Sequence, residues 1–339
     1  MMNTICTEQK PRDYLFDNYK ALLILLVVTG HIIEAASEEN TFLYCLKWLI
    51  FSFHMPAFIF ISGYFSKKKA SLEQLIRKLV VPYLIFEILY YLLYVFVIHK
   101  ETRLYLLYPK FTLWYLMALF VWKLITPWFK KIPFYFGISV LAGLWAGFSG
   151  LDDNFLSLPR ILVFYPFFLL GTMTDREKVR KIREKISAKT AAAGLASAGI
   201  FLVFTALKST LPPQIFYGRY DYAYLHQSTL QGILVRLGCY LFSALVTFLL
   251  LAAVSEKQSR FSVLGERTMA VYLFHGLVCV CIKGGWKQLP YLGMAAESTL
   301  LLGISVLLTV LLYQKFFTDL LNKMLNPRLS LKKRTRPMA

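Results

Sequence analysis

The sequence is poor in charged residues, and acidic residues are the scarcer kind. Charged residues make up 17% of its 339 positions, whereas soluble domains average about 25%, and Lys and Arg outnumber Asp and Glu by 38 to 19. Hydrophobic residues make up 57%, and the mean hydropathy is +0.54. This composition excludes intrinsic disorder and argues against a soluble enzyme. The basic residues lie in short segments between apolar runs, which indicates membrane orientation rather than a nucleic-acid partner.

Sequence motifs of several catalytic classes are also missing. The chain has no P-loop, no GxSxG motif and no HExxH motif, so nothing indicates ATP hydrolysis, a serine hydrolase or a metal site. Its five cysteines are an odd set without metal-ligand or disulfide spacing. We interpret them as buried thiols that pack as small hydrophobic side chains.

Ten apolar stretches are each about long enough to cross a bilayer as a helix. We therefore predict an all-α, polytopic membrane helix bundle with about ten transmembrane helices. The fourth to sixth stretches are short or closely spaced, which leaves open a re-entrant or split segment among them. The predicted spans are 16–36, 43–65, 78–98, 111–129, 133–149, 158–173, 190–207, 230–254, 268–286 and 296–320.

The distribution of Lys and Arg predicts the orientation. The loops on the side of the N-terminus hold about three times as many of these residues as the opposite loops, so both termini are expected in the cytoplasm. We expect a membrane domain over 16–320, between an N-terminal segment 1–15 and a basic tail 321–339. His31 and Glu34 inside the first apolar run argue against a cleaved signal peptide.

The first span carries polar residues where lipid-facing residues are expected. Asp17, Lys20, His31 and Glu34 fall on one helical face and form a polar seam, which extends about 21 Å from Asp17 to His31. Histidine suits general acid–base chemistry near neutral pH, and Glu34 could orient its ring. Gly30 would give room for a close approach to the imidazole. A structural histidine bonded to a neighbouring helix is the alternative for His31.

The second and third spans supply further candidates. Pro56 interrupts the second helix and frees a carbonyl, and the pair 62–63 allows tight helix contact. His54 could line a site or could pack beside the kink. Arg77 and Lys78 open the third span, where anionic cofactor phosphates would arrive; ordinary interfacial anchoring is the alternative.

A second set of candidates lies towards the opposite membrane face. Arg160 and Arg236 stand near the start of apolar runs, where the topology does not require positive charge, so they suggest a cavity for a polar or anionic substrate. Trp114 could stack on a sugar ring or belong to the interfacial aromatic belt. The loop 208–229 is the best candidate for a lid. We interpret His275 as structural.

Several segments, in chain order, resemble the acyltransferase-3 family of integral membrane acyltransferases, and within it the stand-alone group named for fucose 4-O-acetylases. The resemblance covers nearly the whole chain. It rests on 12–20, 28–31, 53–69, 78–83, 113–116, 157–160, 166–171, 264–269 and 272–275.

The resemblance implies that acetyl from cytoplasmic acetyl-CoA passes to a glycan hydroxyl, with His31 as the essential catalytic residue. It also implies that Arg12 and Asp17 belong to the conserved cytoplasmic end of the first helix. The family's Arg-x-x-Arg motif at the third helix is matched here only by Arg77. The chain shows no soluble esterase-like domain of the kind that some members carry.

Our leading hypothesis is therefore an acetyl-CoA-dependent O-acetyltransferase of the cell membrane that acts on a cell-envelope polysaccharide or its lipid-linked precursor. Its catalytic candidates are His31, Asp17 and Glu34. A transporter or flippase of a glycan or small anion is the alternative. A different acyl group or a small acceptor also stays open, as does the oligomeric state. The remaining candidates are Arg12, Lys20, Arg77 and Lys78 for the cofactor, and Trp114, Arg160, Arg236 and His54 for the substrate.

Overall fold

The computed structural model describes residues 13–152, 154–286, 290 and 292–325, and this part of the chain is helical without a strand. Short π-helical turns flank α5, at Ile76–Val80 and Leu93–Val97. The α-helices are α1 (Tyr14–Ile33), α2 (Thr41–Phe51), α3 (His54–Tyr64), α4 (Leu72–Leu75), α5 (Val81–Leu92), α6 (Trp114–Phe129), α7 (Tyr135–Trp145), α8 (Leu158–Met173), α9 (Arg176–Lys185), α10 (Ala188–Lys208), α11 (Thr229–Ala253), α12 (Arg260–Glu266), α13 (Thr268–Trp286), α14 (Met294–Leu312) and α15 (Lys315–Leu325).

Within the described residues, eight helical segments are long and apolar enough to cross a membrane, and α6 and α7 are two shorter apolar helices. These ten segments correspond to the ten predicted spans, which confirms a polytopic helix bundle. The 11-residue helix α7 is about 16 Å long, whereas the hydrocarbon core is about 30 Å thick. The predicted short region therefore comprises α6 and, most clearly, α7, whereas the sixth span is a longer helical segment, Phe155–Met173.

The second span is broken between α2 and α3, four residues before Pro56. Proline has no N–H to donate to the carbonyl four residues earlier, which belongs to Ser52. The Ser243 hydroxyl donates a hydrogen bond of 2.5 Å to that carbonyl instead. The carbonyl of Ile50 accepts one of 2.7 Å from His54 Nδ1. Both carbonyls at the break therefore have a hydrogen-bond partner, so neither is left unsatisfied. The bond to Ile50 also fixes the orientation of the His54 ring.

Helices α3 and α8 pack at very short range because each offers a glycine to the other. A Cβ at Gly63 would lie 2.0 Å from the carbonyl oxygen of Phe168, and one at Gly171 would lie 1.9 Å from that of Phe60. A residue larger than glycine at either position would therefore collide with the backbone of the facing helix and force the two helices apart. The tight contact predicted for positions 62–63 is confirmed, and it holds the second half of the broken span in place.

Helix α1 is the centre of the bundle. Most of its residues are buried, and it packs against α3, α12, α13 and α14. The helix therefore presents its polar residues to neighbouring helices and to cavities rather than to lipid.

The bundle has two distinct ends. The cavity end is the end at which α1 terminates, near His31. The basic end is the end at which α1 begins, and there the charged helix α9 connects α8 with α10. Among the cysteines of the described residues, Cys45 and Cys279 are buried as expected, but Cys281 is exposed on α13. The prediction of a buried thiol is wrong there, because Cys281 lies on the outer face of its helix.

Candidate active site

A cavity of about 600 Å³ opens at the cavity end, and His31 and Glu34 lie in its wall. Aromatic rings and basic groups from four other segments complete the lining. These segments are the break between α2 and α3, the loop before α6, the start of α8 and the loop 209–228. The cavity is larger than a water site and falls within the range of small-molecule pockets, about 300–1,000 Å³.

His31 stands between this cavity and a small one of about 20 Å³ on its other side. Its side chain is 18% exposed, and its Nδ1 lies 3.5 Å from Glu34 Oε2, one helical turn away. Within the described residues, this buried Nδ1 makes no hydrogen bond. The ring packs 4.9 Å from the ring of Phe111, centroid to centroid. The imidazole is thus fixed at the cavity wall with an acid beside it.

Glu34 is the centre of a cluster of three partners. Its Oε1 accepts a hydrogen bond of 3.0 Å from the Tyr217 hydroxyl, and its Oε2 forms an ion pair with Lys283 of α13. Burial opposes the charged form of Glu34, but His31 and Lys283 together hold its pKa well below the usual range. For Tyr217, burial and the Glu34 charge raise the pKa of the hydroxyl. Glu34 is therefore a carboxylate, and Tyr217 donates to it.

Two more histidines surround His31. The ring of His275 lies 5.5 Å from that of His31, centroid to centroid, and His54 is buried and lines the cavity. His275 Nδ1 donates to the carbonyl of Val271 over 3.0 Å, which leaves Nε2 as an acceptor. That Nε2 is buried and has no hydrogen-bond partner among the described residues. Such an unsatisfied group near a polar cavity is unusual in a residue that serves packing alone.

The predicted substrate-side residues Trp114 and Arg160 meet at the cavity. The Arg160 guanidinium lies 5.0 Å from the centroid of the Trp114 ring, and its Nε donates to the Tyr217 carbonyl over 3.4 Å. The predicted lid, 208–229, reaches the same cavity with Phe216, Tyr217, Arg219 and Tyr220. A planar cation and several ring faces thus border one space, an arrangement that suits a polar ring such as a sugar.

Arg236 is not among the described residues that line the cavity. It is buried in α11 and donates to the carbonyls of Gly143 over 3.1 Å and Tyr220 over 3.0 Å. Its guanidinium lies 4.6 Å from the ring centroid of Tyr222. These contacts tie α11 to α7 and to the loop 209–228, so the structure does not bring Arg236 to the other predicted substrate residues.

The polar seam of α1 consists of two separate pairs. Asp17 and Lys20 form an ion pair of 3.0 Å near the basic end, while His31 and Glu34 lie at the cavity end. Between the pairs, the same face carries Ile24 and Val27, which line the small cavity beneath His31. Gly30 also differs from expectation, because a Cβ there would lie 3.1 Å from Ile50. The small size of Gly30 therefore allows α2 to pack closely against α1, and it does not serve to make room for the His31 imidazole.

Three of the four predicted cofactor residues are described, and they lie at the basic end. Arg77 and Lys78 are exposed on the π-helical turn Ile76–Val80, which packs against α6. Lys20 pairs with Asp17, and its ammonium lies 5.7 Å from the Phe65 ring centroid. Arg12 lies outside the described residues. The structure therefore places Lys20, Arg77 and Lys78 at the opposite end of the bundle from the cavity.

The sequence analysis missed Lys283 and Tyr217 as members of the site. Neither residue belongs to a sequence motif, because Lys283 lies near the end of an apolar run and Tyr217 is one of several aromatic residues in the loop 208–229. The signal for Lys283 was available, since a cation in the last turn of an apolar span needs an acidic partner. Within the part of the chain that the structure describes, no group of three or more His, Cys, Asp or Glu could hold a metal ion.

Comparisons with known proteins agree with this architecture. Residues 13–314 match the family described as an acyltransferase domain. A segment of 56 residues is 45% identical to the nodulation protein NolL of Sinorhizobium fredii (strain NBRC 101917 / NGR234). The segment covers 16% of this chain and 15% of that protein, so the similarity involves only a small part of the relative's length. No solved structure matches the chain.

Proposed function

The chain belongs to this acyltransferase family, and from that premise we propose that it transfers acetyl from acetyl-CoA to a hydroxyl of a cell-envelope or exported polysaccharide, or of its lipid-linked precursor. Family membership and the apolar helices make the protein a multi-pass membrane acyltransferase that uses an acyl donor and an acceptor. The acetyl group, the glycan acceptor and the cell membrane as location are our proposals.

The observation that carries the proposal is the position of His31. It is the histidine that contacts both the cavity and a carboxylate, and Glu34 in turn is held by Lys283 and Tyr217. A carboxylate beside one ring nitrogen favours a proton on that nitrogen and leaves the other nitrogen as a base. This arrangement is typical of general acid–base catalysis.

In the proposed mechanism, Glu34 stabilises a proton on His31 Nδ1, and Nε2 takes the proton of the attacking acceptor hydroxyl. The hydroxyl oxygen bonds to the acetyl carbonyl carbon, the carbon–sulfur bond of the donor breaks, and the imidazolium returns its proton to the thiolate. An alternative route carries the acetyl group transiently on His31. Both routes need the same ring at the cavity wall.

On the acceptor side, we propose that Trp114 stacks on a sugar ring, that Arg160 donates to its oxygens and that His54 Nε2 accepts a hydrogen bond from one of its hydroxyls, since His54 Nδ1 already donates to Ile50. All three line the cavity. Arg236 would act there only indirectly, because its guanidinium holds the backbone of the loop that carries Tyr217 and Tyr220.

On the donor side, we propose that Arg12, Lys20, Arg77 and Lys78 receive the phosphates of acetyl-CoA. Their support is their shared charge and, for the three described residues, their position at the basic end. Asp17 would orient Lys20 there. The excess of Lys and Arg at this end supports a cytoplasmic location for it and for both termini. The domain limits of 16 and 320 remain predictions.

The test is the O-acetyl content of envelope glycans in a deletion strain, measured by mass spectrometry. Rescue by the wild-type protein should add one acetyl group to a glycan, and His31→Ala at a matched membrane level should not. If the glycan mass is unchanged but a glycan or anion crosses the membrane unmodified, the acyltransferase proposal fails in favour of a transporter.

A further inference from the structure

A second cavity lies at the basic end and is lined by five lysines. It measures about 120 Å³ and lies between the segment that follows α3, the second half of α6 and the end of α8. Among the described residues that line it, none is acidic. The lysines are Lys67, Lys68, Lys69, Lys123 and Lys130.

Among the described residues, these ammonium groups form no close ion pair, although Asp175 lies near enough to Lys67 to interact with it electrostatically. No ion pair among the described residues includes any of the five, and Lys69 lies over the Trp128 ring at 5.1 Å from its centroid. Burial, together with the charges of Lys130 and Lys178, lowers the pKa of Lys67, although Asp175 opposes this shift. Five like charges brought together beside a single nearby carboxylate form a site that a bound anion stabilises.

Interfacial anchoring does not account for Lys123. It lies inside the apolar helix α6, about 9 Å before the helix ends at Phe129, and is partly buried. A lysine that served only to orient the helix would be expected in the flanking loop. Instead the ammonium of Lys123 lines the same cavity as the three consecutive lysines after α3.

Helix α3 connects this cavity with the small cavity beside His31. Met55, Phe58 and Ser62 share one face of α3, with Met55 and Phe58 in the small cavity, and Ser66 lines the lysine cavity two residues after the helix ends. Met55 and Ser62 lie about 11 Å apart along the helix axis. Between the two cavities, the Ser62 hydroxyl contacts the hydroxyl of Tyr115 on α6.

We propose that the lysine cavity binds the phosphates of the acyl donor, and that the contact of α3 with α6 is the route by which the acyl end reaches His31. This inference rests on the proposed function, since it assumes a donor with a phosphorylated head and a long arm. The Ser62–Tyr115 contact would have to open for the arm to pass. Arg77 and Lys78 do not line this cavity, but their turn packs against α6, which carries Lys123, so the two groups of cations border one helix and can share the several phosphates of the donor.

The test measures coenzyme A binding to the purified full-length protein in detergent by calorimetry. Lys123→Gln combined with Lys130→Gln should raise the Kd at least about tenfold, because charge-assisted contacts to phosphate are lost. Lys123→Arg should retain binding. The double variant Lys181→Gln/Lys185→Gln, on the exposed face of α9 at the same end, is the charge-matched control and should bind within about twofold of wild type. For dephospho-coenzyme A, which lacks the 3′-phosphate, the cavity substitutions should raise the Kd by a smaller factor than they do for coenzyme A.

Three outcomes would overturn the proposal. If wild type binds coenzyme A and the cavity variant binds it equally well, the lysine site is wrong while the proposed function stands. If the cavity variant instead loses only its dependence on phosphatidylglycerol in vesicles, the anion is a lipid headgroup. If wild type binds no coenzyme A, the donor in the proposed function fails as well, and the inference fails with it.

Discussion

The two ends of α1 carry the same chemical pattern in different surroundings. At each end an acidic and a basic residue lie three positions apart, as Asp17–Lys20 and as His31–Glu34. The first pair closes on itself at 3.0 Å beside the buried start of the helix. The second pair borders a cavity of about 600 Å³ and receives Lys283 and Tyr217 from other segments.

The difference shows that residue spacing alone does not define a site. Spacing brings two side chains together on a helix, but the neighbouring helices decide whether the pair is enclosed or faces a substrate. The cavity end combines a base, a carboxylate and ring faces, whereas the basic end offers cations with few acids. We therefore expect chemistry and acceptor binding at the cavity end and donor phosphates at the basic end.

The largest expected effect is that of His31→Ala. Loss of a general base should lower acetyl transfer at least about 100-fold. The measurement is the rate of transfer from labelled acetyl-CoA in proteoliposomes, normalised to folded protein. The control is His226→Asn, which changes an exposed histidine in the cavity-end loop and keeps a residue that tolerates its positive φ. Equal losses in both variants would contradict a specific role for His31.

The next effect concerns the Glu34–Lys283 pair. Glu34→Gln should lower the rate about tenfold or more, because His31 loses its carboxylate and Lys283 becomes an unpaired, partly buried cation. Lys283→Met removes the lysine partner of the Glu34 carboxylate. The double variant Glu34→Gln/Lys283→Met should therefore be less destabilised than the sum of the two single variants predicts. The unfolding temperatures should show this difference as a coupling free energy of about 1 kcal/mol. Simple additivity would show that the pair does not couple.

A smaller effect is expected at His275, whose ring lies 5.5 Å from that of His31 and whose Nε2 has no hydrogen-bond partner among the described residues. His275→Phe keeps a ring of similar shape and should lower kcat about tenfold, while His275→Gln can present an amide near the Nε2 position and should retain more activity. Steady-state kinetics with both substrates would show the change in kcat rather than in KM. Equal activity of the two variants would assign His275 to packing.

The smallest effect on chemistry is expected at the basic end. Asp17→Asn leaves Lys20 without its carboxylate, which should lower the unfolding temperature but change kcat per folded molecule by less than about threefold. Thermal unfolding and transfer measured on one preparation separate the two effects. A loss of kcat as large as that of His31→Ala would mean that the ends of α1 do not differ as described.

Composition and apolar run length predicted the fold well, because each span needs only enough apolar residues to cross the bilayer. The break at Pro56 was also predictable, since proline cannot donate the helical hydrogen bond. The hydroxyl of Ser243, which satisfies the freed carbonyl, was not, because it lies 191 residues away in the sequence. Sequence periodicity describes a single helix and not its neighbours.

The candidate site was predictable in part for the same reason. His31 and Glu34 share one helix turn, so their spacing indicated a pair. Lys283 and His275 come from α13, and no local pattern links them to α1. Arg160 and Arg236 looked equivalent as cations near the same membrane face, yet one borders the cavity and the other bonds backbone carbonyls. That distinction depends on packing between helices.

The most direct test of the central claim is the sidedness of acetyl transfer in proteoliposomes. Acetyl-CoA, which does not cross bilayers, is supplied on one side only, and trypsin cleavage within α9 reports which end of each molecule faces outward. We predict transfer only when acetyl-CoA faces the basic end. Equal transfer from both sides, or transfer only when acetyl-CoA faces the cavity end, would contradict our assignment of donor binding to the basic end and of chemistry to the cavity end.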